Sequence, residues 1–239
     1  MKIIFSPSKE MTFDNPIEEK VEFNDKIKII IEELKKLKPI EIKEIYKISD
    51  KVLEEVLNYI NNFDKIESYR AIEMYTGIAF RSFDVASLKE DERKYMDDHL
   101  KILSAFYGPL CPEELVRPYR LDFNTKLKID GKSLKNFWKE EYNNSFDEGE
   151  VILNLASNEF SSILYRKNFT IYDFEFFEKK NGKLKSHSTI SKKARGKMLN
   201  YICKNKITNL EEIKKFDMDG FKYENKMSEE RKFVFVKQW

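Results

Sequence analysis

Apolar residues recur every three or four positions in some stretches of the chain and run together or alternate with polar residues in others, as in helices and strands. Predicted helices begin near residues 25, 40, 50, 90, 112, 133, 157, 188 and 209, the fourth running to Phe106. Predicted strands cover residues 2–5, 121–129, 151–155, 169–177, 183–190, 220–224 and 232–237. With no repeat or low-complexity linker, this order predicts a single mixed α/β (α+β) domain over residues 1–239, with a central mixed sheet and surrounding helices.

Local signals place several element ends. Asn24 or Asp25 can cap the first helix, and Ser133 can cap a helix that carries Phe137 and Trp138. Asn181-Gly182 is the preferred pair for a type I′ turn between two strands. Ser188 or Ser191 can cap the helix that follows, which should end near Asn205.

The hairpin and this helix lie in a basic segment, Lys179–Lys206. The segment has nine Lys, one Arg and no acidic residue, whereas the whole chain has 44 basic and 42 acidic residues. Its local positive field can attract a polyanion, although a solvated surface in a lysine-rich protein also fits. Gly196 within the predicted helix fits either close helix packing or the close approach of a ligand backbone.

A second candidate element is Tyr107-Gly108-Pro109-Leu110, with predicted helices on both sides. A tight Gly-containing turn between two helices resembles a helix-hairpin-helix unit, which can present backbone N–H groups to a phosphate. An ordinary helical corner is the alternative. Arg117 and Arg120 follow, with Tyr119 between them, and could clamp phosphate and stack on a base.

Other function classes have little support in the sequence. No apolar run approaches the roughly 20 residues of a membrane span, and the first ten residues lack the apolar region of a secretory signal. Cys111 and Cys203 are isolated and do not have metal-ligand spacing, although a disulfide between them remains possible. The Walker A, GxGxxG, GxSxG and HExxH signatures are absent. We therefore predict a cytoplasmic protein without cofactor, metal site or assigned catalytic residue, with monomer the favoured state.

Taken together, several motifs resemble the bacterial YaaA peroxide stress resistance family. They occur in the family's order and nearly its spacing, from the first strand to the last hairpin. The motifs are Ser6-Pro7-Ser8-Lys9, Tyr75-Thr76-Gly77, Leu103–Gly108 with Pro118–Leu121, Phe137-Trp138, Asn154–Ser157 and Lys192–Gly196. Ser8 and Glu10 stand where the family more often has Ala and Thr.

The resemblance implies a bacterial, cytosolic DNA-binding protein that limits iron-driven oxidative damage, with a basic cleft and a helix-hairpin-helix element. In this chain the implied DNA contacts are Lys192, Lys193, Arg195, Lys197, Arg117, Arg120, Tyr107, Gly108 and Tyr119. Binding should be dominated by phosphate contacts on duplex or distorted DNA, largely without sequence specificity.

An enzyme acting on a nucleotide or damaged base is the alternative function. Asn154, Ser157 and Glu159 follow a predicted buried strand, at the end where α/β proteins commonly bind ligands. Lys9, Tyr75, Arg120 and Lys193 could join them in one pocket. There a lysine could form a Schiff base and a carboxylate could move protons.

Overall fold

The computed structural model describes residues 1–19 and 21–238 as a central sheet with helices packed around it. Its helices are α1 (Asp25–Lys35), α2 (Pro39–Tyr46), α3 (Asp50–Asn61), α4 (Ala71–Met74), α5 (Ile78–Phe83), α6 (Glu90–His99), α7 (Leu134–Asn144), α8 (Asn158–Ser161), α9 (Ser188–Lys204) and α10 (Leu210–Ile213). Its strands are β1 (Lys2–Phe5), β2 (Tyr69–Arg70), β3 (Leu100–Ser104), β4 (Gly108–Leu110), β5 (Leu115–Val116), β6 (Lys128–Ile129), β7 (Lys132–Ser133), β8 (Val151–Asn154), β9 (Thr170–Lys180), β10 (Lys183–Lys185), β11 (Phe221–Tyr223) and β12 (Lys232–Gln238).

The main sheet confirms the predicted mixed α/β fold. Its order is β11-β12-β9-β8-β1-β3-β4, with β10 paired to β9. The central pairs β8-β1 and β1-β3 are parallel, and Ile3 is in register with both Leu100 and Leu153. All three side chains are fully buried. This explains the almost continuous apolar sequences of these strands, which are covered on both faces.

The strand order reverses at β1. The chain first adds β3 on one side of β1 and later returns to add β8 and β9 on the other side. A reversal of this kind opens a crevice at the carboxyl ends of the strands, where α/β sheets usually bind ligands. The ends that border this crevice are Phe5 and Asn154.

The long helix predicted to run to Phe106 is wrong in its second half. Helix α6 ends at His99, and Leu100–Ser104 forms a strand parallel to β1. A short apolar run cannot be identified as helix or strand by periodicity alone. The helix predicted from Pro112 is also wrong, because a turn leads there into β5, which pairs with β2.

The predicted helix-hairpin-helix at Tyr107–Leu110 is therefore not formed, because these residues belong to the β3-β4 hairpin. Gly108 has φ +81°, and a Cβ at this position would lie 2.8 Å from the Trp138 ring. The positive φ and the contact with Trp138 both require glycine at position 108. The reason is packing inside the protein and not the approach of a phosphate. Two successive helices with a tight connection do occur at α2 and α3, joined by residues 47–49, where Lys47 is left-handed.

Several local predictions are confirmed. Asn24 accepts a hydrogen bond from the Ile27 N–H, and Ser133 accepts one from the Asn136 N–H. Asn181 and Gly182 both have positive φ, as a type I′ turn requires. Helix α9 begins at Ser188, but neither serine caps it, since the residue before the helix is His187.

The predicted strand over residues 121–129 is reduced to Lys128–Ile129. The reason is local side-chain hydrogen bonding at Asp122, whose carboxylate accepts from the N–H groups of Asn124 and Thr125 and so favours a turn. Cys111 and Cys203 are both free thiols.

Gly196 is explained by helix packing. A Cβ at this position would lie 2.1 Å from the Ala79 carbonyl oxygen and 2.9 Å from the Phe83 nitrogen. Helix α9 therefore crosses α5 with the two backbones almost in contact, a geometry that only glycine permits. Of the two explanations that the sequence left open, the structure selects this one, and the contact fixes the position of the residues on either side of Gly196.

Candidate ligand cavity

A cavity of about 640 Å³ lies at the carboxyl ends of β1 and β8, where the strand order reverses. Four parts of the chain meet there in addition to helix α9. They are residues 5–11, 77–80, 119–122 and 155–160, of which Ala156 does not line the cavity. Helix α9 closes the cavity with Ser188, Ser191, Lys192 and Arg195. The site therefore depends on five separate parts of the chain and on no single local motif.

The floor of the cavity is formed by the turns after the two central strands. Ser157 donates its backbone N–H to Ser6 Oγ at 2.8 Å, and the two hydroxyl oxygens lie 3.3 Å apart. Asn154 holds the second turn, because its side-chain oxygen accepts from the Ala156 N–H at 3.1 Å. Gly77 approaches from the side, where a Cβ would lie 2.2 Å from Ser8 Oγ. These contacts fix the backbone around the cavity.

One wall carries an ion pair beside a second carboxyl group. Lys9 Nζ lies 2.5 Å from Asp122 Oδ2. Burial alone would raise the pKa of Asp122, but the hydrogen bond and charge of Lys9 outweigh it and lower the pKa below its ordinary value. Glu159 accepts a hydrogen bond from the Phe123 N–H at 3.1 Å. Burial, and then the negative charge of Asp122, raise the pKa of Glu159. The wall thus holds one stably charged carboxylate and one that takes up a proton more readily.

A second group of lining residues is basic and has no carboxylate partner among the described residues. Lys192 and Arg195 lie one helical turn apart on α9, and Arg120 faces the same cavity. Within the described residues, no carboxylate oxygen lies within 4 Å of any of the three. The Arg195 Nε atom is buried and has no hydrogen-bond partner there. Burial lowers the pKa of Arg195, an effect that the charge of Asp173 partly opposes.

A tyrosine network lies behind this site. The Tyr119 hydroxyl is 2.9 Å from the Tyr75 hydroxyl and 2.8 Å from Ser104 Oγ. Burial raises the pKa of Tyr119 to about 12 and that of Tyr75 well above its ordinary value. Both phenols are therefore neutral at physiological pH, and their hydrogen-bonding groups are used inside the protein.

The comparisons with known proteins identify the family. The family model for the peroxide stress protein YaaA matches residues 1–227. The chain belongs to this family. Curated relatives include UPF0246 protein FN1762 of Fusobacterium nucleatum, which is 40% identical over 248 residues, with 100% of this chain and 99% of the relative covered. UPF0246 proteins of Finegoldia magna and Streptococcus gordonii are 38% and 35% identical, covering 99% and 100% of this chain and 98% and 99% of their own lengths.

Most motifs on which the YaaA resemblance rests meet at the cavity. The cavity lining includes seven residues that the sequence analysis assigned to a pocket or to DNA contacts: Lys9, Tyr119, Arg120, Ser157, Glu159, Lys192 and Arg195. Tyr75 lies behind Tyr119, and Asn154 supports the turn below. The structure thus brings together most of the residues that the sequence analysis assigned to a pocket and several of those that it assigned to DNA. Lys193 and Lys197, on the same helix, do not line the cavity.

Three residues predicted to contact DNA make their main contacts within the protein: Tyr107 and Gly108 are buried and Arg117 is half-buried. Tyr107 is 4% exposed, and its hydroxyl both donates to the Arg117 carbonyl and accepts from the Arg117 N–H. Arg117 packs against the rings of Phe23 and Phe63 and donates to the Phe63 carbonyl at 2.8 Å. The ring of Trp138 occupies the space that a side chain at Gly108 would take. Contact of these residues with DNA stays a prediction, and the sequence could not show that the protein itself already occupies their hydrogen-bonding groups and packing surfaces.

Asp122 and Ser6 were not predicted as site residues. Asp122 follows Arg120-Leu121 in a stretch predicted as a strand, so its carboxylate had no assigned partner. Its pairing with Lys9, 113 positions away in the chain, is visible only in the fold. In the described residues no cluster of three or more His, Cys, Asp or Glu side chains could hold a metal ion. None of the helices described is both long enough and apolar enough to cross a bilayer.

Proposed function

We propose that this YaaA-family protein binds DNA, duplex or distorted, largely without sequence specificity, and that it limits oxidative DNA damage during peroxide stress. The peroxide stress role follows from the family, and the DNA-binding role rests on the charges described below. In this proposal the DNA backbone lies along the basic segment and the rim of the cavity.

The observation that carries the proposal is the absence of internal partners for the basic segment. Within the described part of the chain, Lys206 is the only one of its ten basic side chains that forms an ion pair, and its partner is Asp91. Elsewhere ion pairs are common, as for Lys43 with Asp50 and Arg70 with Glu113. Unpaired lysines on one segment are available for phosphates, and binding them releases counterions.

The segment also has a suitable arrangement. Lys183 and Lys185 lie on β10, which leads into α9, and both are exposed. Lys192 and Lys193 follow within the first two turns of the helix and are exposed as well. The cations therefore run from a hairpin to the edge of the cavity. Lysine is a point charge suited to phosphate contacts without reading base sequence.

A fluorescence-anisotropy titration across salt concentrations tests the proposal. Each neutralised phosphate contributes about −0.9 to the slope of log affinity against log salt, so a footprint of four to six phosphates gives a slope of roughly −4 to −5. Unrelated duplex sequences should bind with similar affinity. A double variant, Lys192→Glu with Lys193→Glu, should weaken binding strongly and make the slope less steep.

The matched control is Lys28→Glu with Lys36→Glu. These exposed lysines already form ion pairs with Asp25 and Glu33, and the change in net charge is the same. If both double variants lose the same affinity, the effect is one of net charge and the assigned surface is wrong. A salt-independent affinity would exclude phosphate-dominated binding altogether.

A further inference from the structure

The basic side chains that line the cavity lack partners within the protein. Arg195 and Lys192 line it without a carboxylate partner in the described residues, and the Arg195 Nε atom is buried without a hydrogen-bond partner. A buried donor without an acceptor is unfavourable. The guanidinium of Arg117 also has a partnerless Nε, but its other end donates to the Phe63 carbonyl, and it does not line the cavity. Arg195 is therefore the arginine whose buried Nε atom could find its missing partner in a ligand bound in the cavity.

The residues around Arg195 favour a phosphate. One face of α9 carries four residues at the spacing i, i+3, i+4 and i+7, namely Ser188, Ser191, Lys192 and Arg195. All four line the cavity. They supply two hydroxyl groups, one ammonium group and one planar guanidinium, which can bind two phosphate oxygens at once. The two serines are the first and fourth residues of a 17-residue helix, and the partial positive charge at the start of this helix also favours an anion.

The rest of the cavity favours a flat ring with polar edges. The apolar part of the cavity lining comes from Phe80, Leu121, Leu155 and Phe160. Glu159 and the Lys9–Asp122 ion pair belong to the same wall of the cavity. Glu159 lies on α8 and Asp122 in the turn before β6, whereas the basic face lies on α9, so the carboxyl and basic groups of the lining come from different elements. A carboxyl group at an apolar wall can hydrogen-bond to the edge of a nucleobase.

We propose that the cavity binds one unpaired nucleotide, with its phosphate at the α9 face and its base at the Glu159 wall. A volume of about 640 Å³ is suited to a small ligand and is too small for a duplex. The nucleotide can be a free mononucleotide or an unpaired nucleotide in a DNA strand. Only the second source rests on the proposed function.

Calorimetric titration of the full-length protein tests the site. The probes are the four 2′-deoxynucleoside 5′-monophosphates, the corresponding nucleosides and inorganic phosphate. We expect at least one monophosphate to bind at least tenfold more tightly than its nucleoside, since charged hydrogen bonds to phosphate are the strong ones. No binding of any monophosphate at millimolar concentration, or equal binding of nucleoside and monophosphate, would overturn the proposal.

Two neighbouring lysines give a matched pair of variants. Lys192 and Lys193 are both exposed, but only Lys192 lines the cavity. Lys192→Ala should weaken monophosphate binding by about tenfold, the loss expected for one charged hydrogen bond, while Lys193→Ala should change it by less than twofold. Equal losses in the two variants would contradict the site. Arg195→Gln should lose more affinity than Lys192→Ala, and if it fails to fold, as a thermal melt would show, the lysine pair still decides.

Two DNA arms separate this site from backbone binding. For an intact duplex, Lys192→Ala and Lys193→Ala should weaken binding equally, because each removes one phosphate contact. For a duplex with one unpaired nucleotide, Lys192→Ala should have the larger effect, and a bound monophosphate should compete. Monophosphate binding without duplex binding would refute the proposed function and leave the cavity site supported. Duplex binding without monophosphate binding would support the proposed function and refute the cavity site.

Discussion

The segment Tyr107–Arg120 and the first turns of α9 both place basic side chains near the same cavity. In the first segment, the Tyr107 hydroxyl and the Arg117 guanidinium are bound to the protein's own backbone and to aromatic rings. In the second, Lys192 and Arg195 have no carboxylate partner among the described residues, and they line the cavity. The comparison shows that a cation's role depends on whether the fold already satisfies it, which residue type alone does not show.

The strongest test of the comparison is to move α9. Alanine at a helix interior position is normally favoured over glycine by about 1 kcal/mol. At Gly196 the added Cβ would lie 2.1 Å from the Ala79 carbonyl oxygen of α5. Gly196→Ala should therefore lower the free energy of unfolding by about 3 kcal/mol, the upper range for overpacking a close contact. Urea unfolding measures the loss.

The control for this variant is Lys193→Ala, an exposed position on the same helix. It should change the free energy of unfolding by less than about 0.5 kcal/mol. If Gly196→Ala is as stable as this control, α9 does not depend on close contact with α5. The position of Lys192 and Arg195 would then have another cause.

A pair of arginine variants within the first segment compares a cation that the fold satisfies with one that faces the cavity. Arg117→Met removes a hydrogen bond to the Phe63 carbonyl and contacts with two aromatic rings. It should lower the free energy of unfolding by about 1.5 kcal/mol and leave the salt dependence of DNA binding unchanged. Arg120→Met should leave the free energy of unfolding unchanged and make the salt dependence of DNA binding less steep. The reason is that Arg120 faces the cavity and forms no ion pair with a described residue. Thermal melts and the anisotropy titration measure the two effects.

If Arg117→Met weakens DNA binding without loss of stability, Arg117 reaches the DNA in solution. The internal role assigned to its guanidinium would then be wrong. If Arg120→Met destabilises the protein as much as Arg117→Met does, Arg120 also has an internal role. Either result would remove the contrast between a satisfied arginine and one that is available to a ligand.

The sequence predicted most of the elements and the ends that depend on local chemistry. Asn24, Ser133 and the Asn181-Gly182 turn act within a few residues, so their effects can be predicted without the fold. The errors concern residues whose structure is decided at long range. Leu100–Ser104 is a strand because β1 lies beside it, which its apolar sequence could not indicate.

The candidate site shows the same division. The i, i+3, i+4, i+7 spacing of Ser188, Ser191, Lys192 and Arg195 is visible in the sequence, but which face of α9 meets the cavity depends on Gly196 and α5. The Lys9–Asp122 ion pair joins two loops that are distant in the chain. Charge composition therefore predicted the basic wall, and the position of Glu159 after a buried strand predicted one of the two carboxyl groups, whereas Asp122 and its pairing with Lys9 required the tertiary structure.

The smallest expected effect concerns that carboxyl wall and depends on pH. Burial and the charge of Asp122 raise the pKa of Glu159, so the folded protein holds this proton more tightly than the unfolded chain does. The resulting stabilisation is fully present below the ordinary carboxyl pKa of 4.5 and is lost as pH rises through the raised pKa. In the Glu159→Gln variant, the glutamine has no titratable proton, and its amide oxygen can still accept from the Phe123 N–H. Relative to the wild type, the variant should gain about 0.5 kcal/mol between pH 4.5 and neutrality, since the site is partly solvated.

Asp122→Asn provides the control with the opposite sign. The Lys9 pair lowers the pKa of Asp122, so this carboxylate stabilises the fold above its ordinary pKa and loses that effect as pH falls. The asparagine variant should therefore be less stable than the wild type at neutral pH, and the difference should shrink in acid. Urea unfolding across this pH range measures both variants. If the Glu159→Gln and wild-type curves stay parallel, Glu159 titrates as it does in the unfolded chain, and the two carboxyl groups do not interact as their positions indicate.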